Sequence, residues 1–215
     1  MCETKIFTVD KDSPNLDFLT ECAKIIKGGG IVAFPTETVY GLGGSAFDSK
    51  AVERIYEAKN RPPVKALSCL VYDLEQGESL GHITPEAKLL FEKFSPGPLT
   101  VVLKKKECVP SIVTAGMDTV GIRFPANAVA RELIRLCGTP LATPSANISG
   151  EPSPTDGKTV IEKLYGRVDA IIDGGITEVG RESSIVSLGE DGKAKILRIG
   201  SLPIEEIKKY VEVIE

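Results

Sequence analysis

The chain has 215 residues, of which 42% are hydrophobic and 26% charged, and its formal net charge is −4. This length and balance are typical of one globular domain with a sizeable core, and they exclude a disordered or fibrous chain. A net negative charge excludes bulk attraction for nucleic acid, so a role in RNA metabolism would require a small molecule, a local patch or a partner protein.

The five cysteines and the single histidine, His82, form no metal-binding pattern. The cysteines are far apart and include no C-x-x-C pair, whereas zinc sites need clustered ligands. We therefore expect no metal site, and we expect reduced thiols, as in a cytosol. The first residues are charged and lack the apolar core of a signal peptide, and no apolar run could span a bilayer. The sequence thus predicts a cytoplasmic protein with no membrane contact.

Strand and helix patterns alternate along the chain. After a strand over 5–9, a helix is expected to begin at Ser13-Pro14 and to bury four apolar residues, Leu16, Leu19, Ala23 and Ile26. Further helices are predicted over 49–59, 84–94, 127–137, 159–165 and 203–213, and strands over 31–34, 67–72, 99–104, 120–124, 141–143, 170–173, 184–188 and 195–199. Some strands are continuously apolar and others alternate, which predicts an α/β fold with a twisted, open, mixed sheet and flanking helices. No linker divides the chain, so 1–215 is expected to form a single domain.

The first candidate site is the segment FPTETVYGLG at 34–43, which follows a predicted buried strand. Its hydroxyl and carboxyl groups, including Thr36 and Glu37, would lie at the carboxyl end of that strand, where α/β sheets bind ligands. The alternative is a turn whose threonines satisfy nearby backbone groups. Residues 41–46 also fit the dinucleotide pattern G-x-G-x-x-A, although no strand leads directly into them.

The second candidate is the basic pair Lys59 and Arg61 at the predicted end of a helix, where Pro62 forces the chain outward. A point charge next to a planar guanidinium suits a phosphate chain. The alternative is the ordinary basic charge that offsets the dipole at a helix C-terminus.

Two further candidates are a hydroxyl-rich loop and a lone arginine. The loop TPSANISG at 143–150, with SPT at 153–155, could offer hydroxyl and N–H groups to phosphate, or could be a long capped turn. Arg123, at the end of a predicted strand, could bind a carboxylate with two hydrogen bonds or form a surface ion pair.

Taken in order, these segments resemble the YrdC family of threonylcarbamoyl-AMP synthases. The resemblance rests on FPTETVYGLG, KNRP, SPGPLT at 95–100, GIRFP, PSANISG with SPT, SSIV and RIG. It implies an α/β sheet around a large, positively charged cavity. It also implies synthesis of threonylcarbamoyl-AMP and pyrophosphate from L-threonine, bicarbonate and ATP, for N6-threonylcarbamoyladenosine formation at adenosine 37 of tRNA by a separate transferase complex. Mg²⁺ would accompany the ATP.

The resemblance implies roles for individual residues. Two are implied to be catalytic, Lys59 and Arg61. Seven are implied to bind ATP: Lys59, Arg61, Thr119, Ser145, Asn147, Ser153 and Arg198. Four are implied to bind threonine: Thr36, Arg123, Thr143 and Ser183. The carbamate of threonine and the ATP phosphates are both anionic, so a cationic cavity would favour the reaction by holding them together.

Two positions depart from the family pattern, because Ala66 replaces a proline and Leu70 stands where a histidine is expected. The sequence ends at Glu215, so we expect no additional C-terminal domain of the kind found in longer members. Two alternative functions remain at this point. One is an RNA-binding module of the same fold, with weak or no synthase activity, that contacts double-stranded RNA or tRNA. The other is a dinucleotide-dependent oxidoreductase that uses 41–46.

Overall fold

A computed structural model describes residues 3–10 and 13–214. Within them the chain forms eleven strands and seven helices. The strands are β1 (Lys5–Thr8), β2 (Val32–Phe34), β3 (Gly41–Ser45), β4 (Ser68–Leu70), β5 (Leu99–Lys104), β6 (Thr119–Arg123), β7 (Leu141–Ala142), β8 (Ala170–Asp173), β9 (Ser184–Leu188), β10 (Ala194–Arg198) and β11 (Val213–Ile214). The helices are α1 (Leu16–Lys27), α2 (Ser49–Ala58), α3 (Leu74–Leu80), α4 (Pro85–Phe94), α5 (Ala128–Cys137), α6 (Gly157–Leu164) and α7 (Ile204–Ile207).

All the described strands join one sheet, in the order β1-β8-β2-β3-β7-β4-β6-β5-β9-β10-β11. The pairs β1/β8, β8/β2, β4/β6 and β5/β9 are parallel, whereas β2/β3, β3/β7, β5/β6 and β9/β10 are antiparallel. The predicted α/β fold with a mixed sheet is therefore confirmed. No helix within 3–10 or 13–214 is long and apolar enough to cross a membrane.

The first helix buries its apolar face as predicted but begins later. Leu19 and Ile26 are fully or almost fully buried, and α1 packs against α5 over one face of the sheet. The N-cap is Asn15, whose Oδ1 accepts hydrogen bonds from two backbone N–H groups. The predicted start at Ser13 is wrong, because the Ser13 N–H donates to Asp10 and so belongs to the preceding turn. Leu16, which then falls at the exposed first turn, is 56% exposed, and its predicted burial is wrong.

The glycine-rich segment after residue 40 is a strand, β3, which pairs antiparallel to β2. A Cβ atom on Gly41 would lie 2.5 Å from Thr143 Cγ2, and one on Gly43 would lie 2.7 Å from the Phe34 ring. The glycines are therefore required by close packing between strands. Residues 41–46 lack the strand–turn–helix context that a dinucleotide motif needs, so that interpretation is wrong.

The end of the chain also differs from the prediction. Helix α7 covers four residues, and β11 follows it beside β10. The predicted helix over 203–213 therefore ends too late, because the β-branched residues Val213 and Ile214 favour a strand. Helix α3 was not predicted.

Candidate active site

A polar cavity of about 200 Å³ lies where the ends of several central strands meet. Its walls come from segments spread along the chain, from the one after β2 to the end of β10. Six of the eleven residues that the resemblance implied for a site line it: Arg61, Arg123, Thr143, Ser145, Ser183 and Arg198. The fold therefore brings together residues separated by more than half of the chain.

Three of the remaining predicted residues do not line the cavity but form a hydrogen bond with a residue that does. The Thr36 hydroxyl oxygen lies 2.9 Å from that of Thr38, and Thr38 lines the cavity. Asn147 accepts a hydrogen bond from Ser145. Ser153 donates to Glu182 at 2.6 Å, and Glu182 also lines the cavity.

Thr119 is not among the residues that line the cavity. It begins β6 and faces Lys104 on β5, whereas Arg123 ends β6 at the cavity. Four steps of about 3.3 Å along the extended strand separate the two residues by about 13 Å. A ligand that contacts both residues would have to extend beyond the cavity.

Lys59 lies behind the cavity wall and is 1% exposed. Its Nζ donates to the backbone carbonyl of Ser145, to that of Asn147 at 2.6 Å, and to Asn147 Oδ1 at 3.3 Å. Burial, and secondly the charge of Arg61, lower the pKa of Lys59 to about 7, while Glu182 acts in the opposite direction. Since an ammonium has three donors, Lys59 uses all of them to hold the loop over 145–147.

Arg61 reaches the cavity because the chain reverses at Asn60, which has a φ of 49°. Asparagine tolerates this left-handed conformation better than most residues. The Arg61 guanidinium donates to the carbonyls of Lys65 at 3.1 Å and Ala66 at 2.8 Å, which fixes the following loop. Burial lowers the pKa of Arg61, and Tyr56 and then Glu182 oppose this effect.

Arg123 forms a buried ion pair with Glu37, and both residues are less than 9% exposed. Its Nη2 donates to Glu37 Oε1 at 2.6 Å and to Thr38 Oγ1 at 3.0 Å, and its Nε donates to Gly97 O at 3.2 Å. The second Glu37 oxygen accepts from the Ala126 N–H at 3.1 Å. These contacts orient the guanidinium and leave Nη1 for a ligand.

The third arginine, Arg198, is held from two sides. Its Nε and Nη2 donate to the carbonyl and the hydroxyl of Ser183, at 3.0 Å and 3.1 Å. Its Nη1 donates to Glu182. Two of the three cavity arginines are therefore neutralised by glutamates, and Arg61 contributes most of the remaining positive charge.

Sequence reasoning assigned no role to either glutamate. Glu37 belongs to the polar run that was singled out, and a buried acid beside a strand end was the available signal. Glu182 directly precedes the SSIV segment, and no local pattern distinguishes it.

An α/β sheet whose central cavity presents three arginines and several hydroxyls is typical of a protein that binds small anionic ligands. A family model, Sua5_yciO_yrdC, described as "Telomere recombination", matches residues 24–200. The chain belongs to the Sua5/YciO/YrdC family.

Two relatives carry the name threonylcarbamoyl-AMP synthase. The one from Pyrococcus abyssi is 50% identical over 190 residues, which are 88% of this chain and 56% of the relative. The one from Bacillus subtilis is 43% identical over 204 residues, 94% of this chain and 59% of the relative. The chain therefore spans less than two thirds of the length of both.

Solved structures agree with the fold. The crystal structure of P. abyssi Sua5 complexed with L-threonine matches with a TM-score of 0.93 and 46% identity, over 98% of this chain and 63% of that one. The crystal structure of E. coli YciO matches with a TM-score of 0.86 over 95% of this chain and 99% of that one, at 24% identity, and supports the fold alone.

Proposed function

We propose that residues 1–215 act as one YrdC-like domain that makes threonylcarbamoyl-AMP and pyrophosphate from L-threonine, bicarbonate and ATP. The observation that carries this proposal is the meeting of Arg61, Arg123 and Arg198 with hydroxyl groups in one cavity. The names of the relatives and the threonine complex of P. abyssi Sua5 support the same activity.

In this proposal the arginines divide the substrates between them. The free Nη1 of Arg123 would bind the threonine carboxylate, with Thr143 and Ser183 beside it. Arg61 and Arg198 would bind the ATP phosphates, with Ser145 between them. Because the cavity is below the roughly 300–1,000 Å³ of typical ligand pockets, the nucleoside would extend past its rim towards Thr119.

Three of the implied residues act through their neighbours in this arrangement, and a fourth must first change its partner. Lys59 and Asn147 would hold Ser145 in place rather than contact phosphate. Thr36 would orient Thr38. Ser153 would reach the nucleotide by leaving Glu182.

The chemistry needs positioning more than a strong base. Threonine's amine adds to CO₂ with loss of a proton, or to bicarbonate with loss of water, to give a carbamate, and a carbamate oxygen then attacks the α-phosphorus of ATP. A new O–P bond forms, the bond to the β-phosphate oxygen breaks, and pyrophosphate leaves. The arginines would hold two mutually repelling anions at reacting distance and stabilise the charge that develops.

Mg²⁺ fits this site as a companion of the phosphates. Among the described residues no cluster of three or more His, Cys, Asp or Glu side chains could hold a metal ion, and Glu182 is the one acidic residue that lines the cavity. Mg²⁺ would therefore be held mainly by the substrate phosphates and by water, as is common for this ion, and it would neutralise part of the phosphate charge.

The product would pass to a tRNA-modifying transferase complex, and the reaction would take place in the cytoplasm. The described cysteines are unpaired, as in a reducing compartment. Direct binding of double-stranded RNA or tRNA has less support, because two of the cavity arginines are already paired and the net charge is −4.

The test is pyrophosphate release from ATP, measured with and without threonine and bicarbonate. We expect release only when both are present, and stronger release with threonine than with serine or valine. Release that ignores threonine would refute the proposal and would direct attention to the altered segment around Ala66 and Leu70.

A further inference from the structure

The cavity wall contains a carboxylate, Glu182, in the region where anionic substrates are proposed to bind. Glu182 accepts a hydrogen bond from Ser153 through Oε1 and another from Arg198 through Oε2. Among the described residues it is the one acidic side chain in the cavity wall. Its side chain is 35% exposed, so it has room to turn towards solvent.

The donors that Glu182 occupies cannot serve a second acceptor equally well. The Ser153 hydroxyl has one hydrogen, which points to Glu182 at 2.6 Å. Arg198 has two of its five N–H donors on Ser183 and one, from Nη1, on Glu182, so an anion that uses the second N–H of Nη1 lies directly beside the carboxylate. A phosphate oxygen that binds Ser153 and Arg198 Nη1 must therefore displace the carboxylate or share its donors at the cost of repulsion.

The influence of Glu182 extends to the other cations of the site. Burial lowers the pKa of Lys59, of Arg61 and of Arg198, and the negative charge of Glu182 opposes this effect at all three. One carboxylate thus offsets positive charge throughout the region where a polyphosphate would bind.

We propose that Glu182 is an internal competitor of the polyphosphate: it leaves Ser153 and Arg198 when ATP binds and returns to them as pyrophosphate departs. This inference rests on the proposed function for the identity of the anion. Without such a competitor, a cavity in which both Arg61 and Arg198 are unpaired would retain pyrophosphate, and product release would limit turnover. Glu182 is in this sense a residue that tunes affinity rather than a catalytic residue.

The test compares binding of pyrophosphate and ATP to the wild-type chain and to Glu182→Gln by isothermal titration calorimetry. We expect pyrophosphate to bind roughly tenfold more tightly to Glu182→Gln, about 1.4 kcal/mol, because one opposing charge is removed. Steady-state kinetics should show a lower KM for ATP together with a lower kcat. A glutamate that merely positions Arg198 and Ser153 would give the opposite sign, with weaker binding and a higher KM.

Glu151→Gln is the matched control, because Glu151 lies on the neighbouring loop and pairs with Lys163 at the surface. It should bind both ligands as the wild type does. Thermal unfolding tests whether Glu182→Gln is folded. If Glu182→Gln does not fold, Glu182→Ala is measured instead, because alanine places no amide N–H against Arg198.

The outcomes separate this inference from the proposed function. If the wild type binds and turns over ATP but neither Glu182 variant binds pyrophosphate more tightly, the inference is overturned and the proposed function stands. If the wild type binds neither ATP nor pyrophosphate, both are overturned.

Discussion

Replacing Lys59 by methionine should remove a large pH dependence from the stability of the fold. Methionine keeps the unbranched shape of the side chain and fills the same buried space. It removes the ammonium that holds the carbonyls of Ser145 and Asn147, which costs about 1–3 kcal/mol for each unsatisfied group. That cost does not vary with pH, whereas the cost of burying a charged lysine does.

The magnitude follows from the two pKa values of the lysine. The unfolded chain keeps the proton up to the ordinary pKa of 10.5, while the folded protein releases it near pH 7. Between these values the unfolded state binds more protons, so the free energy of unfolding rises with pH, by up to about 1.4 kcal/mol per unit. For Lys59 alone the rise between pH 6 and pH 9 is about 2.5 kcal/mol.

The assay is urea unfolding of the wild type and of Lys59→Met at several pH values. The quantity to follow is the difference in free energy of unfolding between the two proteins, because the other titrating groups cancel in it. We expect this difference to shift in favour of the wild type as pH rises. Lys50→Met, which removes an exposed lysine from the same helix, controls for loss of a charge and should give a flat difference. A flat difference for Lys59→Met as well would refute the reasoning.

Two further substitutions test the other arginine contacts. Glu37→Gln removes one partner of the buried pair with Arg123 and should cost about 3–5 kcal/mol of stability, while raising the KM for threonine more than the KM for ATP. An unchanged melting temperature, or equal effects on the KM for threonine and the KM for ATP, would contradict the role assigned to the Glu37–Arg123 pair. Arg61→Ala should lower kcat/KM for ATP by about a hundredfold, with pyrophosphate release as the readout and a melting temperature close to that of the wild type. An unchanged rate would count against a phosphate role for Arg61.

The parts of the fold that local chemistry determines were predictable. Thr84 caps α4 before Pro85, and Asn127 and Gly138 bound α5, with Gly138 at a φ of 66°. Strand β3 was not predictable, because its glycines carry no side-chain pattern. The glycines are needed because Phe34 and Thr143 lie too close for a Cβ atom, and this closeness arises only in the assembled sheet.

The same distinction applies to the site. Residue type and position at element ends indicated Arg61 and Arg123, and both line the cavity. The partner of each charged group was not predictable, because Glu37 and Arg123 are 86 residues apart. Lysine suits a phosphate and a set of carbonyls equally well, so the sequence could not show that Lys59 faces the loop over 145–147.

The pairing of β1 with β8 has a consequence for synthesis of the protein in the cell. Lys5 lies beside Ala170, and Val32 of β2 lies beside the same residue on its other side. At about 5–20 residues per second, the ribosome needs roughly 10–30 s to make β8 after β1 has emerged. During that interval the backbone edges of β1 and β2 that pair with β8 have no partner, and a nascent chain that ends before residue 170 keeps both edges open to other chains.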